Sequence, residues 1–100
     1  MEDYTHAKHV LESAITRAGL EPTLHEGLFV ACVDFLSWLD AEHDLPETVA
    51  GDYKAWCAGL IPDARGDEAY GRVLTAVRML DAQHIKDKLR QLRSIAASLG

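Results

Sequence analysis

The sequence predicts an all-α fold, a small single-domain bundle of four to five helices over residues 1–100. Three observations carry this. Apolar residues recur at three- and four-residue spacing, Gly and Pro punctuate the repeats, and no stretch of alternating polarity is long enough for a strand. With 48% apolar residues among 100, the chain can bury about 65% of its extended surface in one core, and a second core does not fit.

The first helix runs from about Asp3 to Ala18, with Val10, Leu11, Ala14, Ile15 and Ala18 on one stripe. Gly19 is expected to stop it in the left-handed conformation, with Leu20 making the accompanying apolar contact and Pro22 confirming the break. Thr23 and Glu26 then read as a capping box. The helix they open, roughly Leu24 to Glu42, is the most apolar segment; Leu28, Cys32, Phe35 and Leu39 form its core stripe, and Phe29, Val30, Val33 and Leu36 widen it. Gly27 costs about 1 kcal/mol against Ala in this helix, so close packing is expected there.

Asp44-Leu45-Pro46-Glu47 carries an N-cap acceptor, a first-turn proline and a Glu at the third position, which starts another helix. Val49, Tyr53, Trp56 and Cys57 share its apolar face, Gly51 leaves open a split into a turn and a short helix capped by Asp52, and Ala58-Gly59-Leu60 ends it. Residues 61–66 form a loop. From about Asp67, Tyr70, Val73, Leu74, Val77 and Leu80 mark a helix supported by the Glu68/Arg72 pair. The stripe Ile85, Leu89, Leu92, Ala96 and Leu99 is out of phase with it, so Asp81 either caps a new helix or marks a kink.

Charge is unevenly placed. Residues 1–52 hold eleven Asp/Glu and two Lys/Arg, a net −9, whereas residues 53–100 hold eight basic and five acidic residues, a net +3. An acidic half repels phosphate and favours basic partner surfaces. Met1-Glu2-Asp3 has the wrong sign for a secretory signal, and the longest apolar run, Leu28 to Val33, is too short to cross a bilayer. A cytoplasmic protein that does not engage membranes is therefore expected. Cys32 and Cys57 fit no metal spacing and read as small hydrophobes in a reducing compartment, a bridge between them requiring that their helices touch.

No motif for catalysis stands out. His6 and His9 share a helix face with Glu2 and Glu12 one turn to either side, but two imidazoles with no His-Glu-x-x-His or paired-Cys pattern do not make a metal site. His25, His43 and His84 lie near acids, yet Ser13, Ser37, Ser94, Ser98, Cys32 and Cys57 stand in no elbow or triad context. The seven glycines build no phosphate loop. Lys86, Arg90 and Arg93, with Lys88 beside them, form a basic stripe of the kind that could track phosphates, but cations near a helix C-terminus complement its dipole and Asp87 dilutes the patch, so the structural reading is preferred. The helix after the Gly19 turn carries Glu26, Asp34 and Asp40 and no cation, which argues against a DNA-reading helix-turn-helix. Neither enzyme activity, nor a cofactor, nor direct nucleic-acid binding is expected.

Excess hydrophobicity is the useful oddity. With Leu28, Cys32, Phe35 and Leu39 turned inward, Val30, Val33 and part of Trp38 project elsewhere, and Trp56 stands at the edge of cover. Either the bundle covers these groups, or they form a patch rimmed by Asp34, Asp40, Glu42 and Asp44 with Trp38 or Trp56 as anchor.

In its length, acidity and lack of catalytic or targeting motifs, the chain resembles the small phage-encoded inhibitors known as anti-CRISPR proteins. The resemblance is one of profile and carries no residue over. It implies stoichiometric binding to a bacterial nucleoprotein complex that blocks nucleic-acid entry or nuclease recruitment. The expected function is thus a non-enzymatic protein-binding module whose partner offers a basic, nucleic-acid-binding surface. Asp34, Trp38, Asp40, Glu42, Asp44, Glu47, Asp52 and Trp56 are the candidate contact residues. The rival expectation is a structural or regulatory homodimer paired through Val30, Val33 and Trp38, so that monomer and dimer both stay open.

Overall fold

The structure, a computed structural model, describes residues 4–61 and 67–99, without the side chains of Trp38 and Asp67. All its regular elements are helical: α1 (Thr5–Leu20), α2 (Leu24–Val30), a π turn (Ala31–Phe35) and a 3-10 turn (Leu36–Trp38) that continue α2, then α3 (Ala41–Asp44), α4 (Glu47–Cys57), α5 (Asp67–Arg78) and α6 (Ala82–Ser98). The one helix beyond the expected four to five is α3, a single turn. Expected boundaries at Asp3 and within residues 62–66 fall outside the described residues.

Leu11, Ala14, Leu28, Cys32, Leu36, Ile85 and Leu92 sit at the centre of one apolar cluster to which α1, α2, α4, α5 and α6 all contribute. The central helix lies between α1 on one side and α5 and α6 on others, as its two-sided apolar pattern requires. Gly27 makes the α1 crossing possible. A Cβ there would overlap the Ala18 carbonyl oxygen and lie 3.1 Å from its carbonyl carbon.

The helix expected from Leu24 to Glu42 instead changes pitch and ends at Trp38. In the π turn one extra residue enters the helical repeat, so the next residue after Cys32 to enter the core is Leu36 rather than Phe35, which is left half-buried. Leu39 is then extended, and Asp40 caps α3 by accepting from the Glu42 amide at 3.0 Å. Local carboxylate-to-backbone bonds compete successfully with helix continuation. Asp44 belongs to this turn, accepting from the Asp40 amide at 2.8 Å, and so does not cap α4; Pro46 holds that position. Gly51 does not split α4.

The two expected glycine stops differ. Gly59 has φ +76° and ends α4 with Leu60 buried behind it, whereas Gly19 stays helical and Leu20 is 73% exposed. Helix α1 ends because Glu21 precedes Pro22 and is extended. Thr23 caps α2 through the Glu26 amide at 3.1 Å, and Asp81 caps α6 through the His84 amide at 2.8 Å. On α5, Val73 and Val77 are buried while Tyr70, expected on the same stripe, is 53% exposed and packs T-shaped with Phe29, ring centroids 4.8 Å apart.

Gly27 and Gly51 provide opposite tests. Gly27→Ala should lower stability in urea unfolding by about 1–3 kcal/mol through overpacking against α1. Gly51→Ala, where an added Cβ meets nothing within 4 Å, should raise it by up to about 1 kcal/mol.

Candidate functional site

The acidic candidates are carried by three successive elements, the end of the central helix, α3 and α4, which together form the acidic arm, but they are not equivalent. Asp40 holds the Glu42 amide and the His43 ring, the latter at 2.6 Å, while Asp44 holds the Asp40 amide. Glu42 pairs with Lys54 at 2.9 Å. Asp34, Glu47 and Asp52 are exposed and make no hydrogen bond or ion pair among the described residues. Half of the six carboxylates therefore stabilise the arm itself, and half are free for contact.

The hydrogen bond from His43 and then the Glu42 amide hold the Asp40 carboxyl below its ordinary range. The same bond to Asp40, its negative charge, and the charges of Glu42 and Asp44 raise His43 above its usual value.

Trp56 does not project to a partner. It is 3% exposed, packed with its ring nearly parallel to Tyr53, and its indole N–H donates to the Lys88 carbonyl at 2.7 Å. In return the Lys88 ammonium donates to the Trp56 carbonyl at 2.5 Å and sits 5.0 Å from the ring centroid. That carbonyl is one of the last four of α4, which lack a helical partner, so the cation also meets the negative end of the helix. Burial lowers the Lys88 pKa, with the neighbouring thiols acting the other way. Lys88 is thus separated from the exposed stripe of Lys86, Arg90 and Arg93, in which Arg90 pairs with Asp87 at 3.3 Å. Its i+3 distance from Ile85 was the sequence signal for burial. The Trp38 side chain lies outside the described part.

Near this joint, burial pushes the Cys32 thiol up to about 12 and also raises Cys57. The Tyr53 hydroxyl, likewise raised by burial, donates to the Leu36 carbonyl at 3.2 Å. Both cysteines are free. At neutral pH these groups stay protonated and are poor nucleophiles. Among the described residues no three His, Cys, Asp or Glu gather as metal ligands, and no helix is long and apolar enough to cross a membrane.

Exposed apolar groups occur elsewhere than expected. Val30 and Val33 are half-buried, Val33 against the core, whereas Leu20, Tyr70 and Met79 stand out. Met79 lies just past the last residue of α5, in the turn that leads to α6.

No protein-family model matches the chain, and comparison with curated proteins and with solved structures gives no match either.

Replacing Asp40 by Asn should return His43 toward its ordinary pKa, read from the pH dependence of its ring proton resonances. A raised folded-state pKa stabilises below the unfolded value and is lost as pH rises through the folded one. In the native protein α3 should accordingly loosen as pH rises through the His43 titration, a response absent from the Asn variant.

Proposed function

We infer that the chain is a non-enzymatic protein-binding module whose acidic arm engages a basic, nucleic-acid-binding surface of its partner. The observation that carries this reading is the set of exposed carboxylates at Asp34, Glu47 and Asp52, which make no hydrogen bond or ion pair among the described residues, on a stretch from 34 to 52 that holds no Lys or Arg. Such a surface imitates the charge of a phosphate backbone and speeds encounter with Lys/Arg grooves. The specific form we propose is an inhibitor of the anti-CRISPR kind, occupying the nucleic-acid path of a bacterial effector complex. The acidic surface and the small size support it. The protonated thiols beside Lys88 favour binding over nucleophilic chemistry.

Asp40 and Asp44 hold backbone amides, so their reversal would disturb α3; Glu47 and Asp52 are the cleaner probes. Purified CRISPR effector complexes should be titrated with the protein at about 50 and about 500 mM salt, with DNA binding by the complex as the readout. Glu47→Lys with Asp52→Lys should leave the circular dichroism unchanged and weaken inhibition about tenfold at low salt, with less difference at high salt. Lys86→Gln, Arg90→Gln and Arg93→Gln together should have little effect. Unchanged inhibition by the acidic variant and loss by the basic one would place the contact on α6 and refute the acidic-arm reading.

A further inference from the structure

Helix α3 is a single turn of four residues, and a helix so short has no stability of its own. A ring of side-chain bonds holds it. One carboxylate oxygen of Asp40 accepts from the Glu42 amide at 3.0 Å, the other lies 2.6 Å from Nδ1 of His43, and Asp44 accepts from the Asp40 amide at 2.8 Å. The ring closes on itself.

Charge makes this turn depend on a proton. Asp40, Glu42 and Asp44 crowd three carboxylates together, with Asp40 and Asp44 at the i,i+4 spacing where like charges oppose a helix. Helix α4 packs on α3, and of its charged residues Lys54 reaches the turn, pairing with Glu42 at 2.9 Å, whereas Glu47 and Asp52 make no hydrogen bond or ion pair among the described residues. The His43 imidazolium is what offsets Asp40 and Asp44. The hydrogen bond between His43 and Asp40 is the largest cause that raises the one above its ordinary pKa and holds the other below, so between the two titrations both partners are charged.

We propose that the His43–Asp40 pair is a proton-operated latch on the acidic arm, tightening its hold on a cationic surface when the proton leaves. With the proton bound, α3 is wound and backbone amides occupy Asp40 and Asp44. As pH rises through the His43 titration the turn loosens, and the arm presents one positive charge fewer and two carboxylates more. Both changes strengthen attraction to Lys and Arg. The latch rests on the acidic-arm reading of function, whose regulation it supplies. A built-in comparison is Asp81 and His84, which repeat the spacing with Nδ1 at 2.8 Å from the capping carboxylate. Helix α6 is 17 residues long and buries Ile85, Leu92, Ile95 and Ala96, so that pair has no turn to release.

An oligo-arginine peptide keeps its charge throughout the histidine range, so a pH dependence of its binding belongs to this chain. Fluorescence anisotropy at about 20 mM salt should show the native protein binding it roughly threefold more tightly at about pH 8.5 than at about pH 5.5. His43→Gln should bind at low pH as the native protein does at high pH, and His84→Gln should keep the native response. Without peptide, the Cα carbon shifts of α3 should move from helical toward coil values as His43 titrates. Helical shifts that persist through that titration, or a His43→Gln profile that matches the native one while Glu47→Lys with Asp52→Lys still weakens binding, would overturn the latch and leave the acidic-arm reading standing. Absence of peptide binding at every pH would overturn both.

Discussion

The reciprocal bond between Trp56 and Lys88 is the joint on which the arrangement of the acidic arm depends. Helix α4 packs on α6 and α3, and its crossing with α6 is fixed by the indole N–H on one carbonyl and the ammonium on another. Each side chain satisfies the backbone of the other, so neither helix can slide without leaving a buried polar group unpaired. The indole supplies apolar area and a π face, and the lysine stem covers apolar surface while its charge meets the open end of α4. Tyr53 adds a second attachment, to the Leu36 carbonyl at the end of the central helix. Carboxylates of Glu47 and Asp52 are carried on this attached helix, so the joint sets where they stand.

A second constraint is the change of pitch in the central helix. Gly27 fixes the start of that helix against α1, and the π turn rotates its last turn so that Leu36 enters the core. The helix then stops because Asp40 and Asp44 satisfy amides of α3 and its cap. Acidic residues thus shape the arm before they are available to anything else, which divides them into those that fold it and those that stay exposed without an ion pair or hydrogen bond among the described residues.

Much of this was legible where chemistry is local. Thr23 and Asp81 cap because their side chains reach amides three residues ahead, and Gly59 ends α4 because glycine tolerates the left-handed conformation at that position. The helical class itself emerges from the spacing of Leu11, Val73, Val77, Ile85 and Leu92. What the sequence hid was tertiary. Whether Phe35 or Leu36 turns inward depends on a π turn that no residue type announces, and Asp44 had two amides within reach of which it takes the earlier. Trp56 pointed inward because Lys88, 32 residues away, offered its carbonyl. The candidate site was therefore legible as a charged stretch but not as a division of labour among its carboxylates, and Trp56 proved to be its support rather than its anchor.

The central claim, that Trp56 and Lys88 act as one joint, is tested most directly by a double-mutant cycle in urea unfolding. Trp56→Phe removes the indole N–H and keeps an aromatic ring; Lys88→Met removes the charge and keeps the stem. Each should destabilise by about 1–2 kcal/mol, and the double variant should fall short of their sum by about 1 kcal/mol. Additivity within about 0.3 kcal/mol would contradict the account, because the two residues would then be holding α4 and α6 independently.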